Sequence, residues 1–489
     1  MGVRKFRFYE DFINPDTGTN YEDNGGSPAT KECKPWGKRT LHRIARVNVS
    51  YVEVEEKVTK ITSDGRTIDT GNTKKRKIAV ERRGQGGGWI ESESNLAQDG
   101  ECWIEDGGHV FDSAYVSGDA KVSGGYVGDA ARIDGNARVS GSARVGGSAH
   151  VFGEAKVSSG SDEVIGVSGA ARVAGEVSGQ AQVTGNAHVG KDGKVSGDKT
   201  VVVSGNAVIH GEVSGKSVSV SGNATVYGTV SGQEASVGGM AVILESGTVG
   251  DKSEVSGCAV VAGSVSGESS VTDAAYVSKT GSVAGKSEVY GNAIVDASVT
   301  GESSVGGNAA VSGTVSGESE VTGNATSMSS VSGESEVSGN AIVGGNVSGE
   351  AKVSGNAAVF GDASGEAEVS GSANITGSVS EGEVSGGLIT GSATDSDVSG
   401  GIVSGSANSA TISGNANISG SVDNATVEGN ANIKGSLSQS LASGNGVVSA
   451  GGSADELVSL GVFVEQSDSE RANDPIDNPV VCEVDTGTE

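Results

Sequence analysis

Val331-Ser332-Gly333-Glu334-Ser335-Glu336 is followed by Val337-Ser338-Gly339-Asn340-Ala341-Ile342, then by Val343-Gly344-Gly345-Asn346 and a return to Val347. The valines step by six, six and four, so each round begins sixteen residues after the last. The rhythm extends outward on both sides: Val299, Val315, Val331, Val347, Ala363 and Val379 are each sixteen apart, and Val305 and Val311 repeat the inner steps. A period this strict, carried by single aliphatic residues, predicts a solenoid in which every repeat forms one coil stacked on its neighbour.

Composition agrees. Gly accounts for 81 of 489 residues and aromatics for only 4%, which leaves too few large side chains for conventional globular cores. A chain rich in Gly and Ser usually reads as disordered, but a disordered linker has no phase to its valines. The charge is unevenly spread. Residues 1–100 hold 18 Lys and Arg against 15 Asp and Glu, about +3, while the remainder holds 16 against 47, or −31, and so accounts for the whole of the net −28. An acidic arm of this kind repels nucleic acid and anionic membranes, so neither is expected as a partner. Cys33, Cys102, Cys258 and Cys482 form no CxxC pair, and no zinc site or disulfide framework is expected. The first ten residues lack the apolar run of a signal peptide, and no stretch is apolar enough to span a bilayer. The expectation is cytoplasmic synthesis without membrane insertion.

Three segments follow from the pattern: a head at 1–104, a shaft at 105–450, and a cap with a polar tail at 451–489. In the head, Val47, Val49 and Tyr51 alternate with polar residues and Ser63-Asp64-Gly65-Arg66 reads as a hairpin turn, predicting a small β-rich unit. Lys74-Lys75-Arg76-Lys77 reads as a solvated loop rather than an anion-binding patch. In the cap, Ala454 to Leu460 is expected to form one or two helical turns, and Gly461-Val462-Phe463-Val464 to cover the last coil.

The junction adds a resemblance. Gly86-Gly87-Gly88-Trp89-Ile90-Glu91, then Asn95-Leu96 and Cys102-Trp103-Ile104, resemble a lead-in motif that precedes hexapeptide repeats in phage, prophage and some bacterial proteins, and Leu41-His42-Arg43-Ile44 looks like the opening element of the same family. Ile133, Val139, Val145, Val151 and Val157, six apart with a small residue at each fifth position, are similar to the hexapeptides of left-handed β-helices. The resemblance implies triangular coils of eighteen residues wound left-handed, the hand coming from the family alone. The fold class expected is therefore all-β: a β-solenoid, a left-handed β-helix, with a small β-rich N-terminal head. Its coils are expected to shorten from 18 residues, as from Val177 to Val195 and from Val265 to Val283, to 16, and past Val384 to about 14–15.

Stacking turns equivalent positions into columns. Asn292, Asn308, Asn324, Asn340 and Asn356 form one, predicting an amide ladder along the axis. Cys258 occupies the same slot of an earlier repeat. Glu302, Glu318, Glu334, Glu350 and Glu366 form another, with like charges about 4.8 Å apart. That column reads as a solvated edge, with a low-affinity divalent-cation strip as the sharper alternative, since carboxylate oxygens suit Ca²⁺. No other cofactor is implied.

Catalytic signals are weak. The hexapeptide acyltransferases that the repeats resemble use a histidine on a loop at a subunit interface, which draws attention to His109, His150, His188 and His210. His150 and His188 stand just before inward valines, on outward positions, and only Ser158–Ile165 could form a loop beside them. The reading is a non-enzymatic structural protein, a virion appendage such as a phage or prophage tail fibre or spike. Its head would dock to other virion proteins, its acidic shaft would project, and the chain would be virion-associated, with trimers as the expected homo-oligomer. The alternatives are an acyltransferase-like enzyme and a self-assembling filament protein.

Overall fold

A computed structural model describes residues 5–8, 30–33, 37–61 and 67–361 except 161–163 and 199, and thereafter strand segments between 363 and 460. The chain is all-β: short parallel strands stack coil upon coil into a β-solenoid. Residue contacts divide it into two compact units, Met1–Val226 and Tyr227–Glu489.

The first unit opens with strands β1 (Phe6–Phe8), β2 (Thr30–Cys33) and β3 (Gly37–Thr40), followed by β4 (His42–Ile61) and β5 (Thr67–Ile90). The head is thus largely one long antiparallel hairpin, paired from His42 opposite Ile90 to Ile61 opposite Thr67 with register shifts near Ala45 and between Lys57 and Thr59. Lys74–Lys77 is not a loop. It lies within β5, where the backbone register sets Lys77, Lys75 and Lys74 opposite Glu53, Glu55 and Glu56 of β4. The Ser63–Arg66 turn lies outside the described residues.

The end of β5 carries the chain from antiparallel to parallel structure, because Trp89 and Ile90 pair in parallel with His109 and Val110 of the first coil. Asn95 fixes this junction. Fully buried, its amide accepts from the backbone of Glu91 and Ser92 at 3.1 and 2.8 Å and donates to the carbonyls of Asp112 and Ala114 at 2.9 Å each. All four bonds go to backbone groups of the turn and the first coil, the Glu91 N–H being shared with the Val110 carbonyl at 3.0 Å. Trp103–Ile104 already pairs with Lys121–Val122 of the following coil.

Three faces make each coil. In the second unit, Val299, Val315 and Val331 point inward from the first face, Val305, Val321 and Val337 from the second, and Val311 and Val343 from the third, and all are buried. Strands of two or three residues suffice, since each presents one inward aliphatic and the backbone pairs only with the coils above and below. Small residues fill the corners. Gly307 has φ +69°, and a Cβ there would meet the carbonyl oxygen of Gly323 in the next coil at 2.6 Å, so a side chain is strained at this corner, although Asp273 occupies the same slot two coils earlier at φ +58°.

Coil length changes at defined corners. In the first unit the third face repeats after 18 residues (Ile133 to Val151), 22 (to Val173), 16 (to Val189) and 20 (to Ile209), a less uniform series than the expected eighteens. In the second unit Val277 pairs with Val295 after 18, and Val295 with Val311 after 16. The two residues are lost between the third face and the first, where Val277 to Val283 takes six steps and Val295 to Val299 takes four. Beyond Ile375 the repeat falls to 14 (Ile389, Val403) and then 15 (Ile418, Ile433), as the spacing predicted. Ala454–Asp455 and Val458–Leu460 are strands, not helical turns. The proposed cap at 461–464 lies outside the described residues.

Candidate functional site: stacked side-chain columns

Outward positions recur with the coil, so every candidate site here is a column. The asparagine column is a continuous ladder: Asn292 Nδ2 donates to Asn308 Oδ1 at 2.8 Å, Asn308 to Asn324 at 2.8 Å, Asn324 to Asn340 at 2.9 Å and Asn340 to Asn356 at 3.0 Å. A second ladder, Asn186 to Asn206 to Asn223, has links of 3.0 and 2.8 Å. Its members are twenty and seventeen residues apart, so a fixed-period reading does not reveal it. Serines replace alanine at some fifth positions. Ser303, Ser319 and Ser335 are buried, and each hydroxyl donates at 2.7 Å to the carbonyl three residues earlier, so no polar group is stranded.

The glutamate column is in register as expected. The backbone N–H groups of Glu302, Glu318 and Glu334 donate to Gly317, Gly333 and Gly349 of the next coil at 2.7, 2.7 and 2.8 Å. The same slot in earlier coils holds Lys286, Glu268 and Lys252, at steps of sixteen, eighteen and sixteen, where the residue type alternates instead of repeating. Lys252 Nζ lies 3.1 Å from Glu268, and Lys286 Nζ 2.7 Å from Glu302. The hydrogen bond from Lys286, and then its charge, hold the Glu302 carboxyl below its ordinary range. The column therefore starts as alternating charges and ends as a run of Glu318, Glu334 and Glu350; Glu366 lies outside the described residues. Ca²⁺ takes about six to eight oxygens. Among the described residues, no three acidic, histidine or cysteine side chains converge on a point where a metal ion could sit.

The histidines fall on two faces. His109 lies on the second face between Trp89 and Tyr126, its ring stacked on Tyr126 at 5.0 Å. On the third face Tyr115, Arg132, His150, Arg172 and His188 succeed one another coil by coil. His150 Nε2 is 2.7 Å from Asp134 Oδ2 and its ring rests against Phe152, over which the Arg172 guanidinium also lies at 5.3 Å. His188 is held below the ordinary histidine range by burial first, then by the neighbouring charges of Arg172 and His210. A histidine oriented by a carboxylate is two-thirds of a nucleophilic triad. Among the described residues no hydroxyl or thiol is hydrogen-bonded to the His150 ring.

One further feature escaped the sequence. Lys121, Arg138 and Lys156 stack on the first face of the first unit, beside the corner residues Glu101, Asp119, Asn136 and Glu154. Together they line an open groove of about 580 Å³ whose bases and acids nearly balance. No protein-family model matches the chain, and no curated protein is recognisably similar to it.

Proposed function

We propose that the chain is a non-enzymatic structural protein of a phage or prophage virion, a tail fibre, spike or similar appendage. The head docks to other virion proteins and the acidic solenoid projects. The observation that carries this reading is the use made of the outward positions: from Asn292 to Asn356 they form a side-chain ladder along the axis instead of converging on a reaction centre. Such ladders stiffen a stack and leave its faces free for contact. Immunogold electron microscopy of particles induced from the source strain tests the proposal. Label at one end of the particle, or on its fibres, is the expected result. Unlabelled particles with the chain in the soluble fraction would overturn it. Flanking tail genes would add support, and long end-to-end filaments of the purified chain would favour the filament reading instead.

The acyltransferase reading has one supporting observation, the His150–Asp134 pair. An acetyl-CoA transfer or hydrolysis activity lost on His150→Ala would favour it. No turnover above background is expected.

A further inference from the structure

The three faces of the second unit have different outward chemistry. The second face presents Glu254, Glu288, Glu320 and Glu336, and the first presents Thr248, Ser264, Ser282 and Ser298. The third presents Tyr276, Ile294, Ala310, Thr326, Ile342 and Ala358, stacked in register one per coil and without a charge. Tyr276, Ile294 and Ile342 are 38%, 43% and 42% exposed, and Met328 and Phe360, two residues along from the column, are 49% and 55% exposed. Nothing in the packing of a single coil calls for these side chains, because the valines behind them already fill the interior. A contiguous apolar strip on an otherwise polar surface marks a contact site.

We propose that this third face is the contact between two copies of the chain, packed antiparallel about a two-fold axis at the level of Thr326. Two observations select a second copy as the occupant. Each chain carries −28, so two copies repel each other least where charge is sparse, and this column carries none, with Asp296 beside Ile294 the one charged residue in the flank that holds Met328 and Phe360. The column is also self-complementary in volume. With the axis at Thr326, the bulky Ile294 of one copy faces the small Ala358 of the other, Ile342 faces Ala310, and Thr326 and Met328 meet their own counterparts. Each pairing occurs twice, as an isologous interface requires. A parallel arrangement would instead set Ile294 on Ile294 and Ala310 on Ala310, alternating clashes with gaps.

Sedimentation velocity of the full chain tests the proposal, with Ile294→Lys/Ile342→Lys as the disrupting variant. Ser298→Lys/Thr314→Lys, on the first face of the same coils, is the control. The wild type and the control are expected to sediment as dimers. The third-face variant is expected to sediment as a monomer with an unchanged circular dichroism melt, which separates lost contact from lost fold. Register is tested separately by Thr326→Cys in a Cys33→Ser/Cys258→Ser/Cys482→Ser background. A short bis-maleimide should join two chains through residue 326, and should not do so through Ser298→Cys. A wild-type monomer or trimer, a lysine variant that stays dimeric, or no cross-link at 326 would overturn the proposal.

Discussion

Single residues show how a stacked column rewards sameness and exposes exceptions. On the third face the inward slot runs Val311, Ser327, Val343, so one hydroxyl sits in the apolar interior, where its only described partner is the carbonyl of Ser329 at 2.8 Å. The slot above and below fits valine. Ser327→Val should therefore raise local stability by about 1 kcal/mol, read as slower amide hydrogen exchange in the coils on either side. His188 gives a prediction with a sign. Burial and the charges of Arg172 and His210 lower its folded pKa beneath the unfolded value near 6.5, so the unfolded chain binds the extra proton. The stability this residue contributes is complete above the unfolded pKa and is lost as the pH falls toward the folded one. His188→Gln should accordingly melt increasingly above the wild type as the pH is taken from 7.5 to 5.5. At this scale the sequence foretold whatever repeats at sixteen. The Asn292–Asn356 ladder and the glutamate column were legible for that reason. The Asn186–Asn223 ladder was not, because its steps are twenty and seventeen residues, and the Lys252–Glu268–Lys286–Glu302 alternation was not, because the slot changes residue type and one of its steps is eighteen.

At the level of the coil, stability is shared between nearest neighbours only. Each sixteen-residue turn buries three inward aliphatics, so Val337→Ala should cost about 2 kcal/mol from lost methyl burial and the cavity left behind. The loss should be local. Faster exchange is expected around Val321, Val337 and Val353, which stack on one another, with little change several coils away. Corners were harder to read than faces. The pattern of valines located most strands of the sixteen-residue region, Thr326–Ser327 being an exception, but the shortening from eighteen to sixteen occurs between the third face and the first, and an interval does not say which side of the triangle it comes from. The head was legible as β-rich, and the strands on either side of Ser63–Arg66 do pair antiparallel, but their length was not, because alternation marks strands without fixing how far they pair, and here the cross-strand register joins residues up to 48 positions apart. Lys74–Lys77 looked like a loop because its partners, Glu53 to Glu56, lie across that hairpin.

For the molecule as a whole, the charge imbalance has the clearest consequences. Neighbouring glutamates about one strand spacing apart repel by somewhat less than ~1 kcal/mol per pair in water, and added monovalent salt screens this. Because no three ligands converge among the described residues, Ca²⁺ should act on the melting temperature only as a screening ion. Curves in CaCl₂ and in NaCl of equal ionic strength are expected to coincide, with or without EDTA; a rise specific to Ca²⁺ would restore the cation strip to Glu318, Glu334 and Glu350. Everything else rests on residues sixteen apart being axial neighbours. Disulfide trapping measures that directly, since a bridge forms only where Cα atoms lie about 4.4–6.8 Å apart. In a Cys258→Ser background, Asn308→Cys/Asn324→Cys, one coil apart in the ladder, should close an intrachain disulfide under mild oxidation. Asn308→Cys/Asn340→Cys, two coils apart, should not. Peptide mapping that found no bridge in the first pair, or bridges in equal yield in both, would contradict the stacked solenoid.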